Sequence, residues 1–153
     1  MPESQVLDAI ALLKQDHRTV EDLFAQFEKA SGDGRKQTIA EQICLELSVH
    51  AKIEEEIFYP ACEGKVEEDL LKEAYVEHDG AKLLIAQIMA GEPSDEFYEA
   101  KVTVLQEQIE HHVEEEESEM FPMIQQRMST EEQEELGRRV HDRKMDLKGR
   151  MAA

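Results

Sequence analysis

Two short runs in this 153-residue sequence carry metal-binding chemistry. His50 is followed four residues later by Glu54, and His112 four residues later by Glu116. A further histidine, His17 or His78, precedes each run by a little over thirty residues. On a helix, positions i and i+4 share one face, so each pair aims an imidazole nitrogen and a carboxylate oxygen in the same direction. Four imidazoles and two carboxylates are too many for one tetrahedral zinc and suit two octahedral metals that share bridging carboxylates. With no thiolate in the set, iron or manganese is favoured over copper(I) or a structural zinc. Two carboxylates offset only part of the charge of two divalent ions, and an oxo or hydroxo bridge lowers it further. The expected chemistry is that of a non-haem di-iron centre with open positions facing a pocket suited to a diatomic molecule.

These six residues must be positioned by helices. Apolar residues recur at three- and four-residue steps almost throughout, and period-two alternation is scarce. The first stripe runs Ile10, Leu13, His17, Val20, Phe24, Phe27, and the second Ile43, Leu47, His50, Glu54, Ile57, Ala61. The third runs Leu71, Ala74, His78, Ala81, Ile85, Ile88, and the fourth Leu105, Ile109, His112, Glu116, Met120. Every inward stripe is interrupted near its middle by a ligand-type residue. Burying such groups without partners is costly, and a metal cluster resolves the cost.

Helices are expected at about 4–30, 35–62, 66–90, 95–127 and 130–148. The loops Ser31-Gly32-Asp33-Gly34, Glu63-Gly64-Lys65 and Gly91-Glu92-Pro93-Ser94 separate the first four, while Pro60 and Pro122 lie where they kink or end a helix. Ser94 and Ser129 are N-cap candidates, the latter with Glu132 completing a capping box. Long helices joined by short loops make an all-α, up-down-up-down four-helix bundle, with an additional C-terminal helix.

The two halves repeat at about 62 residues. His50-Ala-Lys-Ile-Glu54-Glu-Glu-Ile-Phe-Tyr-Pro60 aligns without a gap on His112-Val-Glu-Glu-Glu116-Glu-Ser-Glu-Met-Phe-Pro122, and Asp16-His17 aligns with Glu77-His78. This doubled pattern resembles the hemerythrin family, in its HHE cation-binding branch, over about residues 5–127. The resemblance implies one hemerythrin-like domain spanning 1–153. It also implies two non-haem iron ions, oxo- or hydroxo-bridged, with manganese or zinc as substitutes. The ligands it carries over are His17, His50, Glu54, His78, His112 and Glu116. The oxygen-carrying hemerythrins place a second histidine where this chain has Lys82, and use His-x-x-x-x-Asp where it has Glu117 at the fifth position. The four-histidine, two-glutamate set is more similar to di-iron proteins implicated in repairing iron centres under nitrosative stress. The expected partners are oxygen, nitric oxide or peroxide, with iron uptake, oxidant-consuming enzyme and repair protein as further roles.

The remaining composition narrows the classes. Thirty-six acidic side chains against 17 basic ones give a formal charge of −19. Such a surface repels nucleic-acid phosphates and anionic lipid, so neither is an expected partner. No segment reaches the apolar length of a membrane span, and the N-terminus lacks a leader pattern, so a cytoplasmic protein is expected. Cys44 and Cys62 read as reduced and structural. No phosphate loop or nucleophile elbow supports a kinase or hydrolase.

Several neighbours receive ordinary roles. Glu21, four residues after His17, reads as salt-bridged or solvated, and Glu55 and Glu117 yield the bridging positions to Glu54 and Glu116. Tyr59 offers a hydrogen bond to a bridging oxygen or a further metal ligand, with its place beside Pro60 favouring ordinary packing, and His111 reads as a surface residue. His141 falls on a basic face packed along the bundle end, and Met89, Met120, Met123 and Met128 read as core filler.

Overall fold

The computed structural model describes residues 7–152, and all of its regular structure is helical. Helix α1 is Ala9–Lys29. Its start is set by Asp8, whose carboxylate accepts the Ala11 N–H at 2.8 Å, satisfying a donor the first turn leaves free. The expected start at 4, and the bundle's at 5, lie outside the described residues. Helix α2 is Asp33–Ile53, entered through Gly32 at φ +89°, a conformation glycine adopts without steric cost.

Helix α2 does not stop at its ligand pair. It runs through a π-helical turn, Glu54–Phe58, into α3, Tyr59–Cys62. The second half repeats the device: α5, Tyr98–Glu115, passes through a π-helical turn, Glu116–Met120, into α6, Phe121–Arg127. In each turn the backbone N–H five residues on returns to the ligand's carbonyl, Tyr59 to Glu54 and Phe121 to Glu116. Pro60 and Pro122 follow immediately. A proline cannot donate, and its ring crowds the carbonyl four residues back, which here belongs to Glu56 or Ser118. Widening the turn accommodates both effects, so the prolines neither end nor break these helices.

Helix α4 is Glu68–Ala90, and α7 is Thr130–Ala152. Ser129 and Glu132 form the expected capping box, each side chain bonding the other's N–H at 3.1 and 2.9 Å. Ser94 is not a cap. The helix begins at Tyr98 after Phe97, and the preceding turn is closed by Asp95 accepting the Glu92 N–H.

α1 packs on α2 and α4 on α5. α7 lies along α1 and α2 rather than across the bundle end, burying Leu136, Val140 and Leu147. A side chain at Gly137 would collide with the Leu7 carbonyl oxygen and the Asp8 backbone, so this close crossing requires glycine. The buried apolar residues form two clusters. One holds Leu13, Ile53, Phe58, Tyr59, Phe121 and Ile124, and the other Val20, Phe24, Ile43, Leu105 and Val102. At about 1.5–3 kcal/mol for each large side chain fully buried, these clusters supply the main drive for folding. Along each of the four bundle helices, the chain passes from one cluster to the other across a polar layer. Met120 and Met128 are core residues as expected, whereas Met89 is 54% exposed and fills nothing.

Candidate metal centre

The polar layer is where the two halves of the sequence meet. His17 from α1, His50 from α2, His78 from α4 and His112 from α5 are all buried, and so are Glu54 and Glu116, the first residues of the two π-helical turns. All six expected residues converge. Glu54 Oε2 lies 3.2 Å from His50 Nε2, and Glu116 Oε1 3.2 Å from His17 Nε2. On the other side, Glu54 Oε1 lies 3.0 Å from His78 Nε2, and Glu116 Oε2 3.1 Å from His112 Nε2. Each carboxylate therefore turns one oxygen to each histidine pair. The result is two four-donor groups, His17–His50–Glu54–Glu116 and His78–His112–Glu54–Glu116, which share both glutamates.

The first group contains the decisive anomaly. His17 Nε2, His50 Nε2, Glu54 Oε2 and Glu116 Oε1 are fully buried and have no hydrogen-bond partner among the described residues. Buried polar atoms are normally satisfied, and four orphans converging on one point have the form of a cation site. Two nitrogens and two oxygens per group suit a borderline or hard divalent metal.

Each imidazole is oriented by a carboxylate on its outer nitrogen. His17 Nδ1 bonds Glu117 at 2.6 Å, His50 Nδ1 bonds Asp16 at 2.9 Å, His78 Nδ1 bonds Glu55 at 2.8 Å, and His112 Nδ1 bonds Glu77 at 2.6 Å. Carboxylates accept, so each ring carries a proton on Nδ1 and directs Nε2 inward, the arrangement that fixes metal-binding histidines elsewhere. All four carboxylates adjoin one of the six converging residues in sequence, and the pattern repeats between halves. Asp16 and Glu77 each precede a histidine and bind the histidine of the next helix. Glu55 and Glu117 each follow one of the two shared glutamates and bind the histidine of the opposite hairpin. Cations then anchor three of them: Lys144 on Asp16, Lys82 on Glu55 and Arg18 on Glu117. The exposed His111 approaches Glu77 at 3.6 Å.

Titration follows from these contacts. Burial alone would lower the His50 pKa, but the carboxylates of Glu54 and Asp16 outweigh it and hold the ring well above the usual histidine range. The same opposition raises His112, where Glu116, Glu54 and Glu77 prevail over burial. Burial pushes Glu54 upward, yet His50, His112 and His78 bring it well below the usual carboxylate range.

Tyr59 is not ordinary packing. Its side chain is fully buried, and its hydroxyl donates to Glu116 Oε2 at 2.5 Å. The same oxygen lies 3.0 Å from Glu54 Oε1, 3.2 Å from His78 Nε2 and 3.1 Å from His112 Nε2. The π-helical turn causes this, because its i→i+5 bonding, Tyr59 N–H to the Glu54 carbonyl, swings Tyr59 toward the face of Glu54. Burial, then the charges of Glu116 and Glu54, keep its proton on well above the usual tyrosine range. The repeat places Phe121 at the matching position, stacked on His17 with ring centroids 5.9 Å apart. The two groups thus differ: one has a phenol among its donors, the other a bare aromatic face.

Residues 8–124 match the hemerythrin HHE cation binding domain family. This chain belongs to that family. The crystal structure of a hemerythrin HHE cation binding domain-containing protein from Mycobacterium kansasii has the same fold, with a TM-score of 0.82 and 24% identity over 94% of this chain and 88% of that one. A curated relative named a DNA nickase, from Nostoc sp. (strain PCC 7120), is 30% identical over 133 residues, 87% of this chain. The chain spans 38% of that relative's length.

Lys82, where the oxygen carriers have histidine, bonds Glu55 at 2.8 Å instead of entering the layer. Glu21 pairs with Arg18 on the surface. His111 and His141 are exposed, and Lys144, expected on an exposed basic face with His141, reaches inward to Asp16. Cys44 and Cys62 are buried free thiols, and burial with the nearby Glu41 charge pushes Cys44 up to about 11. Asp16, Glu77 and Lys144 are the residues missed. The repeat signalled Asp16 through its alignment with Glu77, whereas nothing local signalled Lys144.

On the side away from Tyr59, the four imidazoles face a cavity of about 340 Å³, walled by Val20, Leu47, Ala81, Ile85, Ile109 and Val113. Its rim carries Lys52, Glu56 and Lys82, which opens a route from solvent to the histidine layer. No described helix is long and apolar enough to cross a membrane.

Proposed function

We propose that this hemerythrin-like chain binds two iron ions and takes up a small ligand, oxygen or nitric oxide, beside them. The observation that carries this reading is the set of four orphaned atoms, His17 Nε2, His50 Nε2, Glu54 Oε2 and Glu116 Oε1, converging on one point. His17 and His50 would hold one ion and His78 and His112 the other, with Glu54 and Glu116 each giving one oxygen to each ion. When bound, such a pair supplies redox-active iron with coordination positions left open to a diatomic molecule. The protein's share is to exclude water below the layer with Phe58, Tyr59 and Phe121, and to admit a ligand above it. Anaerobic loading with Fe(II) followed by elemental analysis tests the reading. Two irons per chain are expected, with manganese or zinc able to substitute, and fewer than one overturns it.

A second reading, an enzyme acting on nitric oxide or peroxide or serving iron-centre repair, is favoured by Tyr59. Its hydroxyl places a retained proton among the donors, where a bound oxidant could accept it. Exposing the Fe(II) protein to oxygen separates the two. A visible spectrum that reverts under vacuum supports ligand uptake, whereas irreversible oxidation with sustained loss of peroxide or nitric oxide supports turnover. The buried, reduced cysteines fit a cytoplasmic setting.

A further inference from the structure

The cavity above the histidine layer is much larger than a diatomic ligand requires. A water molecule's share of liquid volume is about 30 Å³, and an engineered apolar cavity of about 150 Å³ holds benzene. The cavity here measures about 340 Å³. Its walls come from all four bundle helices: Val20 from α1, Leu47 from α2, Ala81 and Ile85 from α4, and Ile109 and Val113 from α5. The four imidazoles form its floor, so a molecule in the cavity lies directly against the candidate metal layer.

Charge at the rim decides what can enter. Each charged side chain lining the cavity is already paired: Asp16 with Lys144, Glu55 with Lys82, and Glu56 with Lys52 and Arg143. An ionic ligand would have to displace one of these bridges and lose its own hydration within an apolar wall. Ser48 supplies the lining's one hydroxyl, which suits at most a neutral polar group at the mouth.

We infer that this cavity binds a neutral, apolar organic molecule of about the size of a substituted benzene, held over the four imidazoles. Its standing as the substrate pocket of the metal site rests on the di-iron reading. Binding itself depends only on the cavity.

Titration of the full chain with toluene, followed through side-chain methyl resonances, tests this in metal-free and Fe(II)-loaded protein. Saturable shifts are expected at Val20, Leu47, Ile85, Ile109 and Val113, with Ile124 and Leu136 unmoved. In the metal-free protein, where no ion can hold a carboxylate, benzoate and benzylammonium are expected to give no saturable shift. Ile85→Trp and Ile109→Phe fill the half-buried walls, and each is expected to weaken toluene binding at least tenfold while leaving iron content unchanged. Absence of saturable shifts, shifts confined to Ile124 and Leu136, undiminished binding in both filled variants, or equal binding of benzoate by the metal-free protein would each overturn the inference. If toluene binds but the protein takes up no iron, the di-iron reading fails and the cavity assignment stands. If iron is bound and toluene is not, the reverse holds.

Discussion

The hydroxyl of Tyr59 lies 2.5 Å from Glu116 Oε2, although 57 residues separate them in the chain. One follows the ligand of the first π-helical turn, and the other opens the second. Through this contact the first hairpin inserts a hydrogen-bond donor into the second hairpin's half of the polar layer.

Replacing Tyr59 with Phe removes the hydroxyl and keeps the ring. In metal-free protein Glu116 and Glu54 each lose a buried partner, and stability is expected to fall by about 1–3 kcal/mol. With metal bound the carboxylates have another partner, and the loss is expected to shrink. Urea unfolding of both forms, with and without metal, checks the difference.

Glu54→Gln and Glu116→Gln each replace a carboxylate that faces both histidine pairs with an amide that cannot bridge. Iron content after anaerobic loading is expected to drop from two per chain to one or none, measured by elemental analysis. An unchanged content in both variants would remove the bridging assignment.

The outer carboxylates are expected to tune affinity without touching metal. Asp16→Ala frees the His50 ring, and a loss of about 10–100-fold in metal affinity is expected. Lys144→Met acts one step further out, so a smaller loss, about 3–10-fold, is expected. Competition with a chelator measures both, and Lys148→Met, which breaks only the α7 pairing with Glu46 of α2, serves as the control.

Protonation sets the pH response. His50 and His112 have raised pKa values in the metal-free fold, so their contribution is complete below about 6.5, the unfolded value, and is lost as pH rises through the folded value. Asp16, Glu55 and Glu117 are lowered, with burial opposing and their histidine and Lys or Arg partners prevailing. Their contribution is present above about 4 and is lost as pH falls through the folded values. Metal-free protein is therefore expected to be most stable between about pH 4.5 and 6.5. Metal must displace protons from His50 and His112, so its uptake is expected to strengthen with rising pH. Thermal melts across pH check the first expectation, and calorimetric titration in buffers of differing ionisation enthalpy counts the protons released.

The chain's own surface is expected to avoid DNA despite its likeness to a nickase. At a formal charge of −19 it offers few cations to displace counterions. Binding weaker than the ~10⁻⁴ M of ordinary non-specific contacts is expected at physiological salt. A gel-shift titration against nicked and intact duplex decides it, and retardation at micromolar protein would show that the segment shared with the nickase touches DNA itself.

The residues that could do chemistry were legible because each interrupts an apolar stripe at helical spacing and recurs in both halves. His17, His50, Glu54, His78, His112 and Glu116 needed no knowledge of the loops, and an antiparallel bundle brings the midpoints of its helices to one level. Its place beside Pro60 made packing the favoured sequence reading of Tyr59, whereas the extra residue in the π-helical turn carries its hydroxyl onto Glu54 and Glu116. Pro60 marked that turn in sequence, but a proline signals kink, end and widened turn alike. Ser94 failed as a cap for a related reason: Asp95 competes for the same turn and wins it by bonding the Glu92 N–H.

Sequence by itself therefore determined the helical class, the pairing of the hairpins and the six converging donors, since all three follow from periodicity and repetition along the chain. Tertiary structure alone decided where α7 lies, and with it the Lys144–Asp16–His50 connection, because residues 128 positions apart have no shared period. It also decided that the layer is sealed by Tyr59 and Phe121 on one side and opens to a cavity on the other. Packed volume depends on how four helices meet, and no single helix encodes it.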